Sequence, residues 1–245
     1  MTLTIFIRST IFHISLAFIA VTYLILLPLI LFPRPITLSI TRSFLRTKWF
    51  LLKTICGLSL EVRGLQYVPQ GPALIASKHQ STAEILALQM ILTDPAMITK
   101  AQNLRLPIVG WVLMKLGHLP IDRSHSLRSL VRLFGLAKER VRAGRQVVIF
   151  PEGTRRAPAS PPKYLLGVAF LYKKLALPCT PVALNAGLFW RRRSFVRKPG
   201  VIVIEFLPAI PPGLQSGEFM ATLVDNIESA AARLSCAPGS ILAAD

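Results

Sequence analysis

The chain has 245 residues, enough to bury a substantial core, and is 52% hydrophobic with only 16% charged residues. Its 29 Lys and Arg face 11 Asp and Glu, which gives a formal net charge of +18. Such an excess predicts an anionic partner, either nucleic acid or an anionic lipid surface. The high apolar content favours the lipid surface, and the sequence contains no RNA-binding signature or zinc finger, so we expect no nucleic-acid partner.

The three cysteines, Cys56, Cys179 and Cys236, are widely spaced and odd in number. This spacing predicts neither a disulfide framework nor a metal site. We expect reduced, mostly packed thiols, which fit a reducing cytoplasmic compartment.

The first feature along the chain is an apolar segment without Lys, Arg, Asp or Glu, from Ser9 to Pro33. Its densest part, Ile11 to Phe32, is long enough to cross ~30 Å of hydrocarbon as a helix. A cleavable signal peptide is disfavoured because no small-residue cleavage site follows. One cation precedes the segment and several follow it, so the positive-inside rule predicts the rest of the chain on the cytoplasmic face of the inner membrane.

Three prolines leave a second arrangement open. Pro28, Pro33 and Pro35 could bend the run, so that residues 36 to 56 return as an amphipathic interfacial helix in one leaflet. In that hairpin, one set of apolar side chains would face lipid and one set of cations would meet phosphates. The apolar set is Phe44, Leu45, Trp49, Phe50 and Leu52, and the cations are Arg42, Arg46, Lys48 and Lys53. Both arrangements predict a membrane anchor over residues 1–56 and a globular domain over residues 57–245.

Beyond residue 57, short apolar runs alternate with helical patterns. The predicted strands are Leu58–Arg63, Ala73–Ser77, Ala96–Thr99, His118–Ile121, Gln146–Phe150, Thr180–Leu184 and Val201–Phe206. The predicted helices are Thr82–Leu92, Ile108–Leu116, Leu127–Ala143 (with Ser126 and Gly144 as caps), Tyr164–Leu175 and Gly217–Leu234. Strands separated by helices predict an α/β fold with a central, mostly parallel or mixed sheet flanked by helices.

Residues 79–84 read His-Gln-Ser-Thr-Ala-Glu and follow the predicted strand Ala73–Ser77. Strand ends are where α/β sheets place ligands, and histidine is the usual base near neutral pH. A carboxylate can fix its tautomer, so His79 and Glu84 form a candidate catalytic pair if His79 lies in the turn and Glu84 in the first helical turn. The other interpretation is that Ser81 and Glu84 form a capping box, and both roles can coexist.

Residues 150–155 read Phe-Pro-Glu-Gly-Thr-Arg, again at a predicted strand end. Gly153 permits close approach of a ligand to the backbone, whose N–H groups could bind phosphate. Arg155 and Arg156 supply donors suited to phosphate oxygens, and Glu152 could hold an arginine or a ligand hydroxyl. An ordinary turn with solvated arginines is the alternative.

With both elements in this order, the chain resembles the 1-acylglycerol-3-phosphate acyltransferase family of glycerolipid synthesis. Residues 117–123 (Gly-His-Leu-Pro-Ile-Asp-Arg) and 177–184 (Leu-Pro-Cys-Thr-Pro-Val-Ala-Leu) resemble two further blocks of that family. All four blocks stand in family order. One departure is Glu84, where the family usually has aspartate.

The resemblance implies transfer of a fatty acyl chain from an acyl-carrier protein or coenzyme A thioester to the free hydroxyl of lysophosphatidate, giving phosphatidate. It implies a general base and its orienter, and a set of acceptor-binding residues that includes phosphate ligands. The base is His79, the orienter is Glu84, and the acceptor-binding set is Lys100, Arg123, Glu152, Gly153, Thr154 and Arg155. No metal or bound cofactor is expected.

The expected partners are the lyso-lipid acceptor, the acyl carrier and anionic membrane lipids. Two alternatives stay open from the residues. One is the same chemistry on another lyso-lipid, such as lyso-ornithine lipid. The other is a non-catalytic membrane lipid-binding protein, in which Glu84 marks lost activity.

Overall fold

A computed structural model describes residues 3–122 and 127–236. In this part of the chain, seven strands form one sheet in the order β1-β7-β6-β2-β5-β3-β4. The strands are β1 (Leu58–Arg63), β2 (Ala73–Ser77), β3 (Pro95–Lys100), β4 (Leu119–Ile121), β5 (Gln146–Ile149), β6 (Cys179–Leu184) and β7 (Gly200–Phe206). Neighbouring strands are parallel except β6 and β7, which confirms the predicted mostly parallel, mixed sheet.

In the described residues, two helices precede the first strand, one follows the last, and the others lie between strands, as the alternating pattern predicts. The helices are α1 (Leu3–Leu24), α2 (Arg34–Cys56), α3 (Ala83–Ile91), α4 (Val109–Lys115), α5 (Leu127–Arg142), α6 (Gly167–Leu175), α7 (Ala186–Phe189) and α8 (Ser216–Cys236). Gly144 follows α5 with a φ of 79°, the left-handed conformation expected of a residue that ends a helix. The predicted cap Ser126 lies outside the described residues. The short helix α7 is not predicted by any periodic pattern.

The core lies on both faces of the sheet because successive strand residues point to opposite sides. Ile75 of β2 and Val148 of β5 pack with α2 and α3 on one face. Leu74 and Val147, one position earlier, pack with α5, α6 and α8 on the other. The carboxyl ends of the central strands are thereby fixed between two helical layers.

The helix α2 belongs to this core, which corrects the expectation that its apolar face meets lipid. Leu45, Trp49 and Leu52 are buried, together with Cys56 at the end of the helix. Their spacing of four, three and four residues places them on one face, and that face covers the sheet. Of the apolar side chains expected to meet lipid, Phe50 is exposed.

Two of the α2 cations expected to meet lipid phosphates bind within the protein instead. Arg42 donates to the carbonyl oxygens of Leu92 and Thr93, just beyond α3, at 2.6 and 2.7 Å. The Lys48 ammonium lies 5.3 Å from the ring centroid of Trp190, and burial lowers its pKa to about 8. The other two, Arg46 and Lys53, are exposed.

The bend predicted at the prolines is present. A short helical turn, Leu27–Leu31, and Pro33 connect α1 to α2, and the two helices pack against each other. Among the described residues, α1 is the one helix long and apolar enough to cross a membrane by length and composition. Ser9 and Phe12 of α1 are nevertheless buried, and Ser9 Oγ accepts the N–H of Arg197 at 3.0 Å.

Asp94 ties the start of α2 to the sheet, because its carboxylate accepts from Arg34 and from Arg145 Nε, the latter at 3.1 Å. We expect Asp94→Asn to lower the free energy of unfolding by about 1.5–3 kcal/mol, since both guanidinium groups lose their charged acceptor. Chemical denaturation measures this. The control is Glu61→Gln, which removes the exposed pair with Arg63 and should cost about 0–1 kcal/mol. Equal losses in the two variants would contradict the prediction.

His118 makes stability depend on pH. Its Nδ1 accepts the N–H of Met97 at 2.9 Å, and burial, helped by Arg145, lowers its pKa from 6.5 to about 4. The unfolded chain therefore takes up a proton at higher pH than the folded protein does. We expect this residue to reduce the free energy of unfolding as the pH falls from about 6.5 to 4. His118→Asn keeps an acceptor for the Met97 N–H but does not titrate. Between about pH 6.5 and 4, the free energy of unfolding of this variant, measured by denaturation, should therefore depend less on pH than that of the wild type. An unchanged pH dependence would show that His118 is not its cause.

Candidate functional site

Two loops meet at the centre of the sheet, because β2 and β5 are neighbouring parallel strands whose carboxyl ends lie side by side. His79 follows β2, and residues 150–156 follow β5. Glu152 Oε2 accepts the N–H of His79 at 2.8 Å, and the His79 carbonyl accepts the N–H of Arg156 at 2.8 Å. The second loop thus holds the backbone of His79 on both sides.

The His79 imidazole is held by a carboxylate and an aromatic ring. Its Nδ1 lies 2.8 Å from Glu84 Oε1, and its ring stacks on Phe150 with centroids 4.3 Å apart. Because a carboxylate oxygen only accepts, Nδ1 carries the proton in the neutral ring and Nε2 has the lone pair. The pair predicted from the sequence therefore has the geometry of a base and its orienter.

Glu84 also closes the turn that precedes α3. Its fully buried carboxylate accepts the N–H groups of Gln80 at 2.9 Å and Ser81 at 2.8 Å, while Ser81 Oγ accepts the N–H of Ala83 at 3.2 Å. Glu84 bonded to the Ser81 N–H is one half of a capping box. One side chain thus makes both the contact to His79 and half of the capping box, and the catalytic role of Glu84 stays a prediction.

His79 lines a cavity of about 650 Å³ whose walls are mostly apolar. This volume lies within the usual range of ligand sites. The apolar walls come from α3, α4 and the residues around α6, and cations stand at the cavity as well. Those cations are Lys100, Arg155 and Arg192.

The sequence profile of the acyltransferase family matches residues 59–185, more than half of the chain. The chain belongs to the acyltransferase family. A 1-acyl-sn-glycerol-3-phosphate acyltransferase from Pseudomonas aeruginosa is 34% identical over 171 residues, which cover 70% of this chain and 66% of that protein. A 1-acyl-sn-glycerol-3-phosphate acyltransferase beta from Homo sapiens is 27% identical over 187 residues, which cover 74% and 67%. The chain spans about two thirds of the length of these relatives.

The fold is shared with a solved structure. The crystal structure of the 1-acyl-sn-glycerophosphate (LPA) acyltransferase PlsC from Thermotoga maritima matches with a TM-score of 0.77 at 18% identity, covering 94% of this chain and 99% of that one. This match shows the shared fold, while the profile match and the 34% identical relative confirm the resemblance stated from the four sequence blocks.

The acyltransferase blocks contribute unequally to the cavity. Gly153, Thr154 and Arg155 line it, and so does Lys100 at the end of β3. Gly153 has a φ of 67°, and its N–H donates to the Phe150 carbonyl at 2.9 Å, so this N–H closes the turn. Arg155 Nη1 donates to Thr82 Oγ1 at 2.7 Å. Arg123 lies outside the described residues.

Both carboxylate oxygens of Glu152 have partners within the protein. Besides the His79 N–H, it faces the buried ammonium of Lys78 at 3.4 Å. Lys78 also bonds Glu228 of α8 at 2.6 Å, and Glu228 accepts from the Tyr164 hydroxyl at 2.8 Å. This cluster fixes the residue before the histidine to a helix 150 positions away.

Spacing along the sequence predicts neither the ion pair of Lys78 with Glu228 nor the position of Arg192 at the cavity. Lys78 and Glu228 belong to no local motif, and only their buried ion pair identifies them. Arg192, part of a basic loop between β6 and β7, lines the cavity and donates to the Arg155 carbonyl at 3.4 Å. Within residues 3–122 and 127–236, no three His, Cys, Asp or Glu side chains are grouped as a metal site would require.

Burial raises the pKa of Glu152, and the neighbouring Lys78 ammonium opposes that rise. In Lys78→Met the pKa of Glu152 should rise further. Its carboxylate would then be protonated at higher pH and would hold the His79 N–H less strongly. We expect the acid limb of kcat/KM against pH to move to higher pH. The control is Lys163→Met, which replaces an exposed lysine. If Lys78→Met lowers the melting temperature but leaves the acid limb of kcat/KM where it is in the wild type, Lys78 has a structural role only.

Proposed function

We propose that the chain transfers a fatty acyl chain from a thioester to the free hydroxyl of 1-acylglycerol 3-phosphate, giving phosphatidate in phospholipid biosynthesis. One observation carries this proposal: the His79 imidazole, held by the buried Glu84 carboxylate, lines a mostly apolar cavity that cations also line. The names of the relatives, which act on this acceptor, support it.

The chemistry is direct transfer without an acyl-enzyme. Nε2 of His79 takes the proton from the acceptor hydroxyl as its oxygen attacks the thioester carbonyl, and Glu84 stabilises the resulting imidazolium through Nδ1–H. A carbon–oxygen bond forms, the carbon–sulfur bond breaks, and the imidazolium returns the proton to the leaving thiolate. The protein supplies every proton transfer, so this mechanism needs no metal and no bound cofactor.

The acceptor phosphate is proposed to bind where the cations meet the cavity. Arg155 and Arg192 come from different loops and touch each other, and Lys100 reaches the same cavity from β3. Guanidinium groups suit phosphate oxygens because they offer several N–H donors in a plane. Gly153 and Thr154 complete this side of the cavity, with Arg123 as a further proposed ligand.

The donor is proposed to be an acyl-carrier protein or coenzyme A thioester. Both carriers are anionic, which suits a chain with a net charge of +18. The apolar part of the cavity suits the fatty acyl chain.

The enzyme is proposed to work on the cytoplasmic face of the inner membrane, held by α1 in one leaflet. The half-inserted hairpin is favoured over a spanning helix because Ser9 and Phe12 of α1 are buried against the protein. In a helix that crosses the whole bilayer, the N-terminal end of α1 would lie on the opposite side of the membrane from the rest of the chain and could not make these contacts. The division into an anchor over residues 1–56 and a catalytic domain remains a prediction, although α2 shares the core of the sheet.

The test offers the membrane-bound protein a labelled acyl thioester, as acyl-carrier protein or coenzyme A conjugate, with a panel of lyso-lipids, and identifies the product lipid. Labelled phosphatidate formed only with 1-acylglycerol 3-phosphate is the expected result. Acylation of lyso-ornithine lipid instead would keep the chemistry and change the acceptor. No product with any donor and acceptor would favour a non-catalytic lipid-binding protein.

A further inference from the structure

The short helix α4 carries apolar side chains that the protein does not cover. Four large side chains in α4 and just before it are each about half exposed. They are Leu106, Val109, Trp111 and Met114. Soluble proteins rarely leave a cluster of large apolar side chains open to water, and such a cluster usually marks a contact surface. We call residues 106–114 the α4 corner.

The α4 corner continues the apolar surface of α1. An apolar groove of about 490 Å³ separates α4 from the tip of the α1–α2 hairpin. Val21 and Leu27 line it from the hairpin, and Val109 and Leu113 line it from α4. The exposed apolar side chains of α1 and of the α4 corner therefore lie on adjoining parts of the molecule. If α1 lies in lipid, α4 lies next to the same lipid.

The backbone holds the α4 corner in a fixed orientation. Ile108 has a φ of 62°, and the N–H of Val109 donates to the Pro107 carbonyl at 2.6 Å, which together form a classic γ-turn. A β-branched residue rarely adopts this strained conformation. Gly110 packs so closely on the Leu104 carbonyl that a Cβ there would lie 2.2 Å from its oxygen. The γ-turn and the close packing of Gly110 thus fix the direction in which these exposed side chains point.

Charge around the corner identifies the kind of partner. No Asp or Glu occurs between Lys100 and Ile121, while Arg105 precedes α4 and Lys115 is its last residue. Apolar side chains with a tryptophan and flanking cations suit the boundary between the hydrocarbon and an anionic headgroup layer.

We infer that the α4 corner inserts into the same leaflet as α1 and forms a second membrane contact. Val112 and Leu113 of α4 line both the groove and the catalytic cavity. This places one wall of the cavity against lipid, so a lyso-lipid acceptor reaches His79 from the leaflet without crossing water. The membrane contact stands without the proposed reaction; only the identity of the entering lipid rests on it.

The chain's own tryptophans provide the test. All three lie in the described residues, and Trp111 is 50% exposed while Trp49 and Trp190 are 8% and 5% exposed. Vesicles of phosphatidylcholine and phosphatidylglycerol with brominated acyl chains quench a tryptophan that enters the hydrocarbon. We expect these vesicles to quench the full-length protein, and Trp111→Phe to remove most of the quenching while still sedimenting with vesicles. Quenching that is absent, or unchanged in Trp111→Phe, would overturn the inference.

A second measurement links the contact to substrate entry. We expect Trp111→Glu with Met114→Glu to lower kcat/KM about tenfold or more on acceptor embedded in vesicles, because two exposed apolar side chains are lost from the membrane contact. The rate on a dispersed short-chain acceptor should be unchanged, and an equal loss in both assays would overturn the entry route. If quenching is absent and the double substitution turns a dimer into a monomer, the corner is a protein interface instead. A wild type inactive in both assays would refute the proposed reaction and leave the quenching result to decide the membrane contact.

Discussion

Replacing His79 by alanine is expected to lower the rate of acyl transfer by about 10²–10⁴-fold, the usual contribution of a positioned general base. The effect should appear in kcat rather than in KM for either substrate, because His79 acts on the proton transferred in the transition state. The ring stacks on Phe150, while the main chain of the turn is held by the carboxylates of Glu84 and Glu152, so the turn should persist without the ring. Single-turnover rates with a labelled thioester measure the chemical step directly.

The matched control is His13→Ala, which removes a histidine of α1 that stacks on Phe195, remote from His79 along the chain. It should leave kcat close to that of the wild type. His79→Ala must also keep the melting temperature and the vesicle binding of the wild type. Near-full activity of His79→Ala under those conditions would refute the mechanism, whereas lost activity together with lost folding would require His79→Gln to be measured in its place.

Much of the fold follows from the sequence because its signals are local. All seven predicted strands are present in the described residues, since strands buried on both faces appear as short apolar runs such as Ala73–Ser77. The His79–Glu84 pair is local too, because five residues span one turn and the start of one helix. Glu84 could therefore be assigned to both the catalytic pair and the cap before its contacts were known.

The remaining features depend on contacts between distant parts of the chain. The sequence pattern of an apolar helix face such as that of α2 is the same whether the face meets lipid or a sheet. Only the fold shows that Trp49 and Leu52 are buried inside the protein. The pair of Lys78 and Glu228 joins residues 150 positions apart, which no spacing rule anticipates. Glu152 looks like a ligand-binding carboxylate in its motif, yet its partners are the His79 N–H and Lys78.

Glu84→Asp is expected to lower kcat by about 10²-fold, even though the family resemblance implies aspartate at this position. One carboxylate oxygen of Glu84 now reaches Nδ1 of His79 and the N–H groups of Gln80 and Ser81 together. A side chain shorter by one methylene cannot make all three bonds from the same backbone position. Misplacing a catalytic group by about 1 Å can cost about 10²-fold in rate.

Glu84→Gln separates charge from length. The amide keeps the length of the side chain, and its oxygen can still accept from Nδ1–H of His79. Its NH₂ group then takes the place of Oε2 and meets the Ser81 N–H, and the imidazolium loses its counter-charge. We expect a loss at least as large as that of the aspartate variant, with little change in KM, while the exposed control Glu61→Asp stays at the wild-type rate. Full activity in Glu84→Asp would mean that the turn before α3 shifts to follow the carboxylate. The glutamate would then be interchangeable with aspartate, and no difference in acceptor lipid could be traced to it.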